Sequence, residues 1–459
     1  METIIHEFLE KLSTLDLYSG LAEFLSKGQV YFCEFMLDFA KQRIKEMDEM
    51  LFENKAIRPG YQVVRKNDIR TLETKLGTLT YQRRYYRSEA KGYHYLVDDI
   101  LSINPRSRVE KSLAAELCIK AAEMSYSKSS KASCSGRVSK QTVKSLLHRV
   151  KEEPVKIQNQ RLDVKEIHLQ CDEDHVALQK ADSKRTIEKL VTIHEEAKQV
   201  GNSKRRYLPN KQHIVSKSNE SNAEFWERVD AKITEIYGER DENNKLEVYL
   251  HGDGAAWIKA GIDYVGNSRF VLDKYHFMKE VIKVSGNEPR HIELMYNAVY
   301  SFKRNKVKDM LEIFTNSDIC TKDDADSFYS YYSNNYNGIK IWQSLGPARS
   351  GSCAEGLVSH TLSSRLSSRP CAWSYRGLDD VSRLRVHLLN GGEIKPSDFD
   401  FLIETDIPIE NLAEIRQNKR QESKKEFEFS PLATAVFQRS KRDSLYRFFQ
   451  FITDGGYKY

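Results

Sequence analysis

An α/β architecture is what this sequence predicts, and three observations predict it. Strand-like runs cluster between residues 164 and 251, helical patterns flank them on both sides, and the run LEVYLHGDG closes on Asp253 between two glycines. An acid that ends a strand beside glycines lets backbone or ligand approach closely, so it marks a candidate site.

At 459 residues the chain is long enough for roughly two to four domains. A charged fraction of 30% and a hydrophobic fraction of 40% fit a folded globular protein and not a disordered one. No run of about 18 apolar residues occurs, which argues against a membrane span. The opening METIIHEFLEKL carries early acids and no basic stretch before an apolar run, so no secretory signal is expected and a cytoplasmic setting is. Seven cysteines lie singly with no CxxC pair, which suits reduced thiols and leaves a zinc module without ligands. His168 and Cys171 are three apart and in a strand face opposite sides. The net charge of +6 is unevenly spread: residues 101–150 hold ten Lys/Arg and three Asp/Glu, or 10 − 3 = +7. A basic module in an otherwise balanced chain is a footprint of nucleic-acid contact.

The elements follow in order. Residues 1–55 read as an N-terminal helical region, with Ile4, Ile5, Phe8, Leu9 and Leu12 at helical spacing. Residues 56–100 read as a β-hairpin region, IRTLETKL and TLTYQRRYYR about Gly77, with Leu79, Tyr81, Arg83 and Tyr85 alternating. That strand is read as a half-buried structural hairpin, with a DNA-facing role for Arg83 and Arg84 as the alternative. Residues 101–160 read as a helix-turn-helix-like DNA-binding domain. Its last helix has Ser139 as N-cap, Val138 and Val143 as a staple, and Val143, Leu146, Leu147 and Val150 as the inward stripe. Lys140, Gln141 and Lys144 are left on the outer part of that helix, where a recognition helix meets bases and phosphates, with Arg137 just before the cap.

From 161 to 390 the pattern is three strands, a helix and another strand ending in an acid, an order that suits a ribonuclease-H-like α/β domain. In EIHLQCDEDH, Asp172 and Asp174 lie opposite the apolar Ile167, Leu169 and Cys171; in the later strand Asp253 lies opposite Leu246, Val248 and Leu250. Neighbouring strands thus place Asp172 and Asp253 on one surface. Asp172 is preferred to Asp174 because it sits closer to the strand. Two adjacent carboxylates repel unless protonated or bridged, and hard oxygen donors suit Mg²⁺ or Mn²⁺. Glu355 opens a helix whose Val358, Leu362 and Leu366 pack inward, so its carboxylate is expected to project toward the sheet. Counted at 100° per residue, Arg369 lies roughly 40° around that helix from Glu355, and it joins Arg365 as a candidate phosphate contact.

The stretches CDEDHVALQ, HGDGAAWI, LDKYHFMK and CAEGLVSHTLSSRLSSRP together resemble the Lre-type insertion-sequence transposases of bacteria, a group related to the Mutator-like DDE transposases. The resemblance covers nearly the whole chain. It implies a retroviral-integrase-like catalytic core in which Asp172, Asp253 and Glu355 hold two Mg²⁺ or Mn²⁺ ions. It implies a helical insertion of about 280–345 within the 355 − 253 = 102 residue gap. Asp273 and His276 match the family's D-x-x-H signature, which implies a supporting role. The implied activity is metal-dependent DNA cleavage and strand transfer in the bacterial cytoplasm, at the nucleoid. The implied partners are double-stranded DNA, as terminal inverted repeats and target, and further copies of the chain in a synaptic homo-oligomer. A non-catalytic DNA-binding regulator and a nuclease of the same fold are the competing readings. Residues 391–459 form a C-terminal region in which RQNKRQESKK reads as a solvated helix or linker.

Overall fold

A computed structural model describes residues 2–400 apart from 180–183, 204, 241–244 and 350–352; RQNKRQESKK lies outside the described residues. The described chain is a mixed α/β protein in two compact units. One holds residues up to 71 with 80–106, the other 72–79 with the chain from 107.

In the first unit, α1 (Glu2–Ser13) lies along α2 (Leu21–Glu53), with the rings of Phe8 and Phe35 stacked at 4.4 Å. Strands β1 (Tyr61–Glu73), β2 (Thr78–Ser88) and β3 (Gly92–His94) form a sheet, followed by α3 (Leu96–Ile100). The expected hairpin is there, and β3 adds a strand that the sequence reading did not anticipate. Alternation along β2 holds only to Arg83: Tyr81 and Arg83 are buried, then Tyr86 and Ser88, a slip of one residue. Arg83 pairs with Asp98 and stacks 3.4 Å from the centre of the Tyr95 ring, while Arg84 pairs with Asp48. Both guanidinium groups are committed inside the unit, so the DNA-facing alternative for Arg83 and Arg84 is set aside.

The second unit begins with three short helices, α4 (Lys111–Glu123), α5 (Tyr126–Cys134) and α6 (Lys140–Leu147), packed on one another. The Ser139 hydroxyl accepts from the Thr142 N–H, and Val138, Val143, Leu147 and Val150 are buried, so cap and stripe form α6 as expected. The turn before it passes through Ser135 and Gly136, both with positive φ.

Strands β4 (Glu166–Ala177), β5 (Arg185–Glu195), β8 (Gln212–Val215), β9 (Glu247–Gly252) and β10 (Ser268–Leu272) form one sheet in the order β10-β9-β4-β5-β8. A two-stranded ribbon, β6 (Lys198–Gln199) and β7 (Arg206–Tyr207), stands between β5 and β8 in sequence. Strand β5 runs antiparallel to β4 and β8, whereas β4, β9 and β10 are mutually parallel. On one face Ile167, Leu169, Cys171, Val191, Ile193, Val248 and Leu250 pack on α7 (Asn222–Tyr237), which begins at a Ser221–Glu224 capping box. The same core continues through α8 (Ala256–Ala260), α9 (Lys274–Val284), α10 (Pro289–Tyr300), α11 (Arg304–Asn316), α12 (Lys322–Asn334) and α13 (Tyr336–Arg349). A second core joins α4 to α6 with α14 (Ala354–Val358), α15 (Ser364–Leu366) and α16 (Tyr375–Leu389) against Val176, Leu178, Leu190 and Val215. No helix among the described residues is long and apolar enough to cross a membrane.

The sheet face opposite α7 carries a buried polar row. His168 Nδ1 lies 2.9 Å from His251 Nε2, the Gln170 amide donates to His194 Nε2 at 3.2 Å, and Thr192 Oγ1 lies 2.8 Å from His213 Nδ1. Burial holds the His194 and His251 imidazoles below their ordinary range and pushes His213 down to about 4, with Lys211 adding repulsion at His194 and His213. A histidine that is neutral when folded takes up its proton on unfolding. Its share of stability is therefore complete above about pH 6.5 and shrinks as pH falls toward the folded value. Asp172 and Glu188, raised to about 6 and about 8, work in the opposite sense and lose stabilising effect as pH rises. His213→Asn should flatten the acid limb of a urea-midpoint profile between about pH 6.5 and 4, by up to one proton. An unaltered limb would show that His213 titrates freely.

Candidate metal-binding acidic site

Three parallel strands deliver acids to one end of the sheet. Gln170 of β4 stands opposite His251 of β9, so Asp172 and Asp253 follow two residues later on adjacent chains. Leu272 of β10 stands opposite Gly252, and the Asp273 N–H donates to the Gly252 carbonyl at 2.7 Å. The bracketing glycines have separate causes. A Cβ on Gly252 would sit 2.6 Å from Ile258 Cδ1 and 3.3 Å from the Cys171 carbonyl oxygen. Gly254 has φ +98°, and its Cβ would sit 2.6 Å from Asn335 Oδ1.

Burial first, and then the charge of Asp253, push the Asp172 carboxyl up to about 6. The Glu173 N–H, which donates to Asp172 Oδ1 at 2.8 Å, and the nearby His276 oppose that rise. Asp253 is half-buried and accepts from the Ala255 N–H at 2.9 Å. Asp273 is buried; one of its oxygens caps α9 through the Tyr275 N–H and the other lies 2.8 Å from His276 Nδ1. That bond is the main reason the His276 imidazole is raised, and the fields of Asp253 and Asp172 add to it. The structure therefore gathers Asp172, Asp253, Asp273 and His276. It also separates the two candidates for the first acid. Asp174 accepts from the Ser367 hydroxyl at 2.8 Å and stands opposite the buried Glu188, whereas Asp172 shares the field of Asp253.

The remaining candidates are placed differently. Helix α14 packs on β4 and β5, and the Cys353 N–H donates to Gln170 Oε1 at 3.3 Å, but Glu355 on its first turn is exposed. Val358, Leu362 and Leu366 are buried as expected. The continuous helix assumed for Arg369 is corrected: Ser359–Ser363 form a π-turn and the helix ends at Leu366, so Arg369 is an exposed residue beyond it. Arg365 is corrected too. Its Nε donates to the Ala121 carbonyl at 3.0 Å and its guanidinium lies 4.7 Å from the Trp373 ring centre, so it serves packing and not a phosphate. Arg137 donates to Glu73 at 2.9 Å and to the Thr74 carbonyl at 2.8 Å, which ties α6 to the hairpin tip. Lys140 and Gln141 are exposed and Lys144 half-exposed, with no ion pair among the described residues.

The donor set of Asp172 and Asp253 is hard oxygen, and the Asp172 carboxyl, raised by burial first and then by the charge of Asp253, would be favoured in its charged form by a bound cation. In both respects it fits Mg²⁺ or Mn²⁺. Among the described residues no three His, Cys, Asp or Glu side chains stand together as a complete ligand set. The sequence reading missed Tyr331 and Lys259. The Tyr331 hydroxyl donates to the Asp253 carbonyl at 3.0 Å, and the Lys259 ammonium, lowered by burial, is favoured by the charge of Asp253. Neither lies at a spacing that would announce it.

A family model described as "Uncharacterised protein family (UPF0236)" matches residues 21–400. Similar proteins occur in Caldanaerobacter subterraneus subsp. tengcongensis. UPF0236 protein TTE2489 is 36% identical over 357 residues, covering 77% of this chain and 75% of its own length. Another, whose name carries eleven designations from TTE0033 to TTE2212, is 36% identical over 362 residues, covering 77% of this chain and 74% of its own.

Proposed function

We propose that this chain, which belongs to the UPF0236 family, is a DNA transposase of the Lre insertion-sequence type with a ribonuclease-H-like core. The observation that carries the reading is the acid pair: Asp172 and Asp253 stand at the ends of adjacent parallel strands, and the charge of Asp253 acts on both Asp172 and His276. The sheet supports it. An antiparallel β4-β5-β8 meander, extended on the other side of β4 by parallel β9 and β10, is the strand order such a core requires. A relative bearing eleven designations also suits a gene that is copied within a genome.

Asp172 and Asp253 would hold the divalent ions, with Glu355, on the helix packed over β4, as the third ligand. When bound, such ions supply an activated water or 3′-hydroxyl and neutralise charge at in-line phosphoryl transfer. Asp273 fixes the ring of His276 through Nδ1, so the imidazole is held beside the acids and beside any phosphate they recruit. Lys140, Gln141 and Lys144 present the outer face of α6 to duplex DNA. Two element ends must be held together, which calls for a homo-oligomer. No covalent link between protein and DNA is needed, so the 24 tyrosines serve packing and stacking.

The test is to incubate the protein with a duplex of the element's end, with and without Mg²⁺, and then to supply pre-cut ends with a target plasmid. Metal-dependent nicking at the terminus and a joined product are expected. Binding without cutting would leave a regulator, and cutting without joining would leave a nuclease.

A further inference from the structure

The loop after β9 is gripped from a distant part of the chain. The C-terminal end of α12, nearly 80 residues further on, makes three contacts with residues 253–259. The Tyr331 hydroxyl donates to the Asp253 carbonyl at 3.0 Å. Asn335, 3% exposed, lies against Gly254 so tightly that a Cβ there would sit 2.6 Å from its Oδ1. The Lys259 ammonium donates to the Asn334 carbonyl at 3.2 Å.

Chemistry on both sides supports a purpose beyond filling space. Asn335 Nδ2 donates to the Tyr331 backbone carbonyl at 2.9 Å, which ties its side chain to the last turn of α12, while its Oδ1 is buried with no hydrogen-bond partner among the described residues. An unpaired buried amide oxygen is costly, and it persists only where surrounding structure imposes it. Here what it abuts is a glycine with φ +98°, where a side chain would be both strained and blocked. Burial and the charge of Asp253 raise the Tyr331 phenol, so the hydroxyl stays a donor. The phenol restrains the peptide unit that carries the Asp253 side chain, and the Ala255 N–H holds its carboxylate from the same loop.

We propose that Tyr331 and Asn335 are positioning residues, through which the helical insertion sets the orientation of Asp253 for a divalent cation. The inference rests on the reading of Asp253 as a metal ligand. It gives the insertion a task inside the catalytic site: an acid on a loop is held by a rigid helix and not by its own strand alone. Outer partners of this kind change metal affinity by about 10- to 100-fold when removed.

Tyr331→Phe and Asn335→Ala test it with two readouts. One is amide hydrogen exchange across residues 253–259, and the other is Mn²⁺ affinity by calorimetry, both on the full chain. Tyr331→Phe keeps the ring and Asn335→Ala leaves helix α12 intact, so each checks the other against a folding defect. Faster exchange in that loop is expected, together with Mn²⁺ affinity lowered by about tenfold and cleavage recovered at high Mg²⁺. Faster exchange with unchanged Mn²⁺ affinity would reduce the contacts to packing and overturn the proposal, as would no change in either. A wild-type protein that neither binds Mn²⁺ nor cuts DNA defeats the underlying reading; one that does both while the variants match it defeats only this inference.

Discussion

On the proposed reading, Asp253→Asn should leave a protein that binds terminal-repeat DNA as the wild type does but no longer cuts it. Asparagine keeps the size of the side chain and an oxygen to accept from the Ala255 N–H, so the loop between Gly252 and Ala255 retains its shape. What disappears is the negative charge. Asp172 then loses the neighbour that helps hold its carboxyl at about 6, and the donor set falls to a single anionic group among the strands. Loss of a ligand exceeds the 10- to 100-fold cost of losing an outer partner, so cleavage should fall by more than about 100-fold. Duplex affinity and its salt slope, which the proposed reading assigns to Lys140 and Lys144 on α6, should stay within about twofold. The checks are gel-based cleavage beside a binding titration, and strand transfer that survives the change would remove the metal model.

Trp226→Ala carries the largest stability penalty expected here. Trp226 on α7 is fully buried, donates from Nε1 to the Trp257 carbonyl at 2.7 Å, and packs 6.0 Å from the Trp257 ring. Gly261 approaches it so closely that a Cβ there would sit 2.6 Å from the indole. Truncation removes an aromatic ring from a tight core, at about 3–5 kcal/mol, and leaves the Trp257 carbonyl without its donor. Because α7 and α8 support the far side of β9, the Asp253 loop should loosen with the core. A urea midpoint for the sheet-bearing unit that moves little would mean the surrounding side chains collapse into the space. Trp226→Phe, which keeps most of the packing and loses only the donor, should fall between the two.

Much of the site was legible along the chain, and the limits are physical. Periodicity and capping act locally, so the strands carrying Asp172 and Asp253, the Ser139 cap and the Val143 to Val150 stripe of α6 all follow from neighbours within a few residues. The D-x-x-H run was equally local: Asp273 caps the helix that carries His276. Arg369 was misplaced because a π-turn changes the residue count per turn without a proline or glycine to announce it, whereas the contacts of Arg365 with the Ala121 carbonyl and Trp373 come from distant parts of the fold. The burial of Arg83 depends on Asp98 and Tyr95, which its own strand does not reveal. The histidine row is likewise invisible in one dimension, since His168, His194, His213 and His251 come from four strands.

Strand β4 sits between β5 and β9, and this middle position has a consequence during synthesis. Asp253 leaves the ribosome 253 − 172 = 81 residues after Asp172, which at about 5–20 residues per second is roughly 4 to 16 s. Once β5 has emerged, and for the rest of that interval, the nascent hairpin of β4 and β5 should show an open edge along Glu166–Gln170, awaiting Glu247–His251. Polypeptides whose translation stops inside this window never acquire the acid pair, and they keep an edge able to recruit a strand from another chain. A broken copy of the gene should thus yield a chain prone to aggregate.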